Sequence, residues 1–275
     1  MYRDRFRGER QQIDRLEQLT GEALGRLDKG TPESLDPWLV ASLVPNSPGD
    51  MTMSFPGVAQ MQHWAHNEHS NNDLMEGFFQ EMPPAVGVSV QRYTLSSSAD
   101  RGKPLRYDNA VCYVDGAGAA ARQLHVERQR DGRPVLLAPR LVFATVGALR
   151  LLGRHAVHNA GARGDAAVEV RVIGPHMLLG YSHDGLVEYY RNALLIREAR
   201  ARLTLPLASL TGDAQDVLIA ARLALADVFN AFGLAESPYI APDGTLRLRY
   251  FPSGYHADAW AERHGVATTQ QAIPE

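Results

Sequence analysis

The stretch Asn109-Ala110-Val111-Cys112-Tyr113-Val114-Asp115-Gly116-Ala117-Gly118-Ala119-Ala120-Ala121-Arg122-Gln123-Leu124-His125-Val126 decides the fold. Read one way, a strand runs into a glycine-rich loop of the dinucleotide-binding kind. Such a loop must open a helix, because the helix N-terminus receives the pyrophosphate. Read the other way, Asp115-Gly116 is a hairpin turn, since both residue types tolerate the positive φ of tight turns. Gln123 to Val126 alternates in polarity, and Asp131-Gly132 follows before a crossover helix could fit. Hairpin is therefore the better reading. It places strands at Asn109–Val114, Gln123–Val126 and Pro134–Leu137.

Asp-Gly returns at Asp184-Gly185 and Asp243-Gly244. Repeated local reversals favour an antiparallel sheet over alternating parallel βαβ units. Further strands are expected at Trp38–Val44, ended by Pro45, and around Val86, Val88 and Val90 as a half-buried strand. Ala167–Ile173, Met177–Ser182, Leu186–Tyr190, Arg202–Leu207 and Leu246–Phe251 complete the set.

Two buried helices cover this sheet. One starts at Pro139 and carries Val142, Val146, Leu149, Leu152 and Ala156 on one stripe as far as Gly161. The other starts near Asp213 and aligns Val217, Ala221, Ala224, Val228 and Phe232 before Gly233. Shorter helices fit Gly57–His66, a segment capped by Asn72 or Asp73, and the region of Trp260 up to Gly265. Tyr2 to Leu27 is a longer amphipathic helix, with Ile13, Leu16, Leu19, Ala23, Leu24 and Leu27 in register. Its arginine-rich first turns are expected to project. The expected organisation is a helical arm over residues 1–30, one α+β domain over 33–265, and a frayed tail over 266–275.

Composition sets the limits. The chain has 275 residues, a net charge of −3 and one cysteine. That charge does not make the whole molecule a polyanion binder. A lone cysteine cannot form an internal disulfide and points to a reducing, cytoplasmic setting. Met1 to Arg15 has no apolar core of a secretory signal. Leu141 to Leu149 is too short an apolar run to cross a bilayer, so no membrane association is expected.

Candidate chemistry is sparse. His63, His66 and His69 stand three apart, with Glu68 and Asp73 nearby. Histidines and a carboxylate can share a divalent metal, which would make His63, His66, Glu68 and Asp73 the core of a metal-assisted hydrolase. Three residues at that spacing do not converge on one helix face, however, and a polar helix end is the simpler reading. Ser182-His183-Asp184 holds the residue types of a hydrolase triad, but neighbours on a strand point to opposite faces. His155 and His158 suit a helix C-terminus, where imidazole meets free carbonyls and a favourable dipole. Arg191, Arg197, Arg200 and Arg202, after Tyr189 and Tyr190, could hold phosphate and stack bases. Glu188 and Glu198 interrupt them, which favours a solvated face. Cys112 reads as a buried structural thiol, and no cofactor is expected.

Three stretches, Pro37–Gly49, Leu151–Asp165 and Ala241–Phe251, resemble the C-terminal region of actinobacterial proteins that carry a Schlafen/AlbA-type DNA-binding domain at their N-terminus. The resemblance spans most of residues 1–265. The DNA-binding module itself is not in this sequence, so no binding residue carries over. The resemblance implies an accessory or regulatory domain of a cytoplasmic bacterial protein, either a shortened family member or a fragment of a longer one. The leading expectation is thus a non-enzymatic interaction or regulatory domain, self-associating or docking a partner linked to nucleic acid through the apolar stripe of the arm. The metal-assisted hydrolase is the alternative.

Overall fold

A computed structural model describes residues 2–25, 36–52, 55–67, 78–79, 84–98, 107–124, 126–128, 132–183, 186–251 and 256–271. The architecture is α+β, built on a large, mostly antiparallel sheet. In chain order the elements begin with α1 (Tyr2–Gly25), β1 (Trp38–Ser47), α2 (Phe55–Asn67), β2 (Ala85–Ser89), β3 (Arg92–Ser98), β4 (Tyr107–Tyr113) and β5 (Gly118–Gln123). They continue with β6 (Val126–Arg128), β7 (Pro134–Leu137), α3 (Ala138–Arg154), β8 (Arg163–His183), β9 (Leu186–Tyr189) and β10 (Ile196–Pro206). The last are α4 (Leu207–Thr211), α5 (Ala214–Ala231), β11 (Leu246–Arg247), α6 (Ala257–His264) and β12 (Thr268–Thr269).

The deciding stretch forms a hairpin. Gly116 sits at φ +87°, a value that an L side chain strains to adopt. Gly118 opens strand β5, not a helix, and Cys112 pairs with it across the turn. The alanine run therefore lies inside the sheet, and the second strand starts earlier than Gln123. The strand order is β2-β3-β4-β5-β1-β8-β7-β6, with β9 and β10 also paired to β8. Only β7 runs parallel to its neighbour β8 within this sheet.

Strand β8 replaces the two separate strands expected on either side of Gly174-Pro175. Arg163 to Ile173 pairs with β1 on one edge, and the β10 ladder covers the other. Leu178 to His183 pairs instead with β7 and β9, while the β10 ladder reaches Met177 across a register shift. Pro175 falls where the β10 ladder shifts register between Ile173 and Met177, an irregular place that tolerates its missing N–H. Several other boundaries differ. β1 runs through Pro45 to Ser47, with an irregular register there. β10 starts at Ile196 and so takes in Arg197 and Arg200. Leu246–Phe251 is a strand only at Leu246–Arg247, and Leu248–Tyr250 tightens into a 3-10 turn. Val86 is half-buried, but Val88 and Val90 are exposed, because β2 and its turn form an outer hairpin. The segment expected as a tail contributes buried Val266 and strand β12, which pairs with β11. The helix capped by Asn72 or Asp73 lies outside the described residues, apart from buried Phe78 and Phe79.

Helices cover both faces of the sheet centre. α3 lies over β1, β5, β7 and β8, and α5 over β8 and β10. Leu39, Ala41, Leu43, Val168, Val170 and Val172 face them in one continuous core. α1 packs on the opposite face, where Leu19 and Ala23 meet Val40, Val111, Ala119 and Ala121. The apolar stripe of the arm, expected to meet another chain or a partner, is covered within this chain at Leu16, Leu19 and Ala23. Gly8, Arg10 and Gln11 remain exposed. No helix is long and apolar enough to cross a membrane among the described residues.

Candidate ligand-binding site

A cavity of about 360 Å³ opens where three helices converge. α3 contributes Val146 and Arg150, one turn apart on the same side. The α4–α5 junction contributes Gly212, Asp213, Ala214 and Val217. α6 contributes Trp260, Arg263 and His264, whose spacing places them together. The sequence builds each wall locally. Asp213 caps α5, its carboxylate accepting from the Asp216 N–H at 2.9 Å. Trp260 anchors α6 in the core at 1% exposure, and its ring lies 4.7 Å from that of His264. The indole Nε1–H is buried and finds no acceptor among the described residues.

Arginines from two helices, a histidine and the positive end of the α5 dipole line the cavity, together with the carboxylate of Asp213, among the described residues. Val146, Val217 and the indole supply its apolar surface. Its size matches the lower range of small-molecule sites. Apolar walls with a few convergent cationic donors suit an oxyanion attached to a hydrocarbon body.

The histidine cluster does not assemble into a metal site among the described residues. His63 and His66 lie near the end of α2, both exposed. The His63 Nε2 lone pair accepts from Asn67 Nδ2 at 3.3 Å and so already has a partner. Glu68, His69 and Asp73 lie outside the described residues. His158 is exposed, whereas His155 is fully buried in a single π-turn, His155–Asn159, that ends α3. Its Nε2 lies 2.8 Å from the Tyr113 carbonyl of β4. A carbonyl only accepts, so Nε2 carries the proton and Nδ1 is left as a bare, buried lone pair. Burial holds this imidazole at a pKa of about 4, against the opposing effects of the Tyr113 bond and Asp115. Burial also pushes the Cys112 thiol up to about 12, which leaves it inert.

The four arginines proposed for nucleic acid do not form one free patch. Arg200 and Arg202 both bind Glu169 and Glu17. Arg197 donates to His176 Nδ1 at 3.2 Å, and Arg191 sits exposed in the turn after β9. Glu169 is the residue that sequence reading misses. It is fully buried on β8, accepts from Arg200 at 2.6 Å, forms an ion pair with Arg171 at 3.0 Å, and faces Thr20 of α1 at 3.5 Å. Alternation with Val168 and Val170 makes it read as a solvent-facing residue. Nothing local reveals that α1 will close over it.

A second charged group fastens the same C-terminal part of α1 to β3 and β4. Glu22 accepts from Arg92 and from the Tyr113 hydroxyl, each at 2.6 Å. Burial raises the pKa of its carboxyl, but bonds from Tyr113 and Gln18 and the charges of Arg92 and Arg15 carry it below its usual value. Arg15 also stacks on Tyr113, 4.3 Å from the ring centre.

Arg150, Trp260, Arg263 and His264 carry no motif, and only the tertiary fold joins them. No family model matches this chain, and neither a curated protein nor a solved structure is found to match it.

Proposed function

We propose that this chain is a non-enzymatic interaction and regulatory module that self-associates through a fixed apolar shelf after β9. One observation carries the reading. Leu194 and Leu195 are consecutive and 55% and 53% exposed, on a segment that the fold holds in place. Leu194 N–H donates to the Phe232 carbonyl, and Ala193 N–H to the Tyr190 carbonyl, both at 2.8 Å. Tyr189 and Arg191, also exposed, precede the pair in the chain. A single exposed leucine needs no explanation, but two held rigidly beside tyrosine and arginine have the composition of an interface centre.

The resemblance in Pro37–Gly49, Leu151–Asp165 and Ala241–Phe251 is in keeping with an accessory role. The arm is the weaker candidate for assembly, because its stripe already seals the sheet. Deleting residues 1–30 would uncover Val40, Val111 and Ala119 and would report folding more than association.

The test is sedimentation equilibrium of the full chain at its highest soluble concentration. The expected mass is a multiple of one chain, falling to one chain in the double variant Leu194→Ser, Leu195→Ser with an unchanged circular dichroism spectrum. A wild-type protein that sediments as a single chain overturns the proposal, as does a double variant that stays associated.

A further inference from the structure

The cavity between α3, α5 and α6 lies apart from the leucine shelf in sequence, and its chemistry is of another kind. The geometry points to a binding site for a small organic anion: one carboxylate or phosphate group carried on an apolar body.

Charge is the first reason. Arg150 approaches from α3, and Arg263 and His264 from α6, so an anion in the cavity meets cations from two independent helices. Two guanidinium groups lining one cavity suit an oxyanion, which accepts several hydrogen bonds at once. The Asp213 carboxylate, the acid on this wall, is engaged with its own helix through Asp216 N–H. The start of the 18-residue helix α5 adds the partial positive charge of its peptide dipoles.

Shape and desolvation are the second. Val146 and Val217 come from facing helices, and the Trp260 indole completes the apolar side. At about 30 Å³ of space per water-sized group, 360 Å³ holds on the order of ten non-hydrogen atoms. That is room for a small aromatic or branched acid and too little for a dinucleotide.

The third is the indole N–H of Trp260, a buried donor without an acceptor at the wall of this cavity. Such orphaned groups are uncommon in folded proteins. An oxyanion in the cavity is an acceptor of the kind this donor lacks. The ligand would tie α3, α5 and α6 together, which gives the module a way to respond to a metabolite of this class.

Phenyl phosphate serves as the probe, with benzyl alcohol as its uncharged counterpart. Each is titrated into the 15N-labelled full chain, and the Trp260 indole signal is followed, assigned by its loss in Trp260→Phe. Phenyl phosphate is expected to shift this signal saturably, and benzyl alcohol is not. Arg150→Gln and Arg263→Gln should each weaken the binding by roughly tenfold or more. Both arginines are partly or fully exposed, so both variants keep the fold, with thermal melts as the control. An unmoved Trp260 signal overturns the site. So does equal binding of the alcohol, or a variant of either arginine that binds like the wild type.

Discussion

The two faces of the same strands are held in opposite ways. Under α3 and α5, β1 and β8 present Leu39, Ala41, Leu43, Val168, Val170 and Val172. Under α1, the intervening residues are Val40, Ser42, Glu169 and Arg171, and β10 adds Arg200 and Arg202. The apolar face is driven by burial, which is strong but tolerant of which neighbour is met. The charged face is specific. Ser42 stands opposite Glu169, which stands opposite Arg202, and Thr20 of α1 lies 2.8 Å from Ser42. A slip of one residue would turn Glu169 and Arg171 into the core beneath α3 and α5. One face therefore supplies cohesion and the other selects the register.

The largest expected effect lies on the apolar face. Phe229→Ala removes a fully buried ring of α5 and should cost about 3–5 kcal/mol in urea denaturation, with an unchanged m-value. On the charged face, Glu169→Gln leaves three part-exposed guanidinium groups around a neutral amide, two of them still paired with Glu17 and one with Glu198. It should cost about 1.5–3 kcal/mol, from the loss of charge-assisted hydrogen bonds. The comparison is sharpened by a triple replacement, Glu169→Leu with Arg200→Met and Arg202→Met. If the cluster selects register more than it adds cohesion, the triple variant recovers most of the lost stability. A triple variant as unstable as Glu169→Gln would show that the charges hold the fold together after all.

The apolar face was legible in the sequence because its signals are local. Asp115-Gly116 sets a turn, and Val142, Val146, Leu149 and Leu152 form a stripe whatever they pack on. The charged face was not. Glu169 in a valine-rich alternation reads as solvent-facing, and the stripe of α1 announces that it needs a cover without saying where. β8 hid for a related reason: Gly174-Pro175 breaks a strand in most settings, yet here the β10 ladder passes it by a shift of register. The candidate site was invisible because Arg150 and Arg263 meet only after α3 and α6 are both docked.

His155 tests the junction between the faces, where the end of α3 meets β4. Its imidazole is held neutral to a pKa of about 4 in the folded chain, against an ordinary value of 6.5. Between these values the unfolded chain takes up the proton and the folded chain does not. Stability conferred by the neutral ring is therefore complete above pH 6.5 and is lost as pH falls towards 4. The depression corresponds to about 3 kcal/mol. Urea midpoints at pH 7 and pH 4.5 should differ more for the wild type than for His155→Phe. Equal slopes in the two proteins would mean that the acid sensitivity arises elsewhere.

The smallest effect concerns the start of α5, where the apolar-face helix borders the cavity. Asp213→Ala removes the side-chain acceptor for Asp216 N–H and should cost about 1 kcal/mol, because burial of Val217, Ala221 and Val228 still holds the helix. Asp213→Asn keeps a capping oxygen and should cost only a few tenths of a kcal/mol. The same change removes the carboxylate from the cavity wall. Asp213→Asn should therefore bind phenyl phosphate more tightly than the wild type while melting at nearly the same temperature. Tighter binding with an intact cap would separate the charge of this residue from its role in the helix. Unchanged binding would mean that the Asp213 charge is fully spent on the α5 terminus, leaving the arginines alone to set the potential.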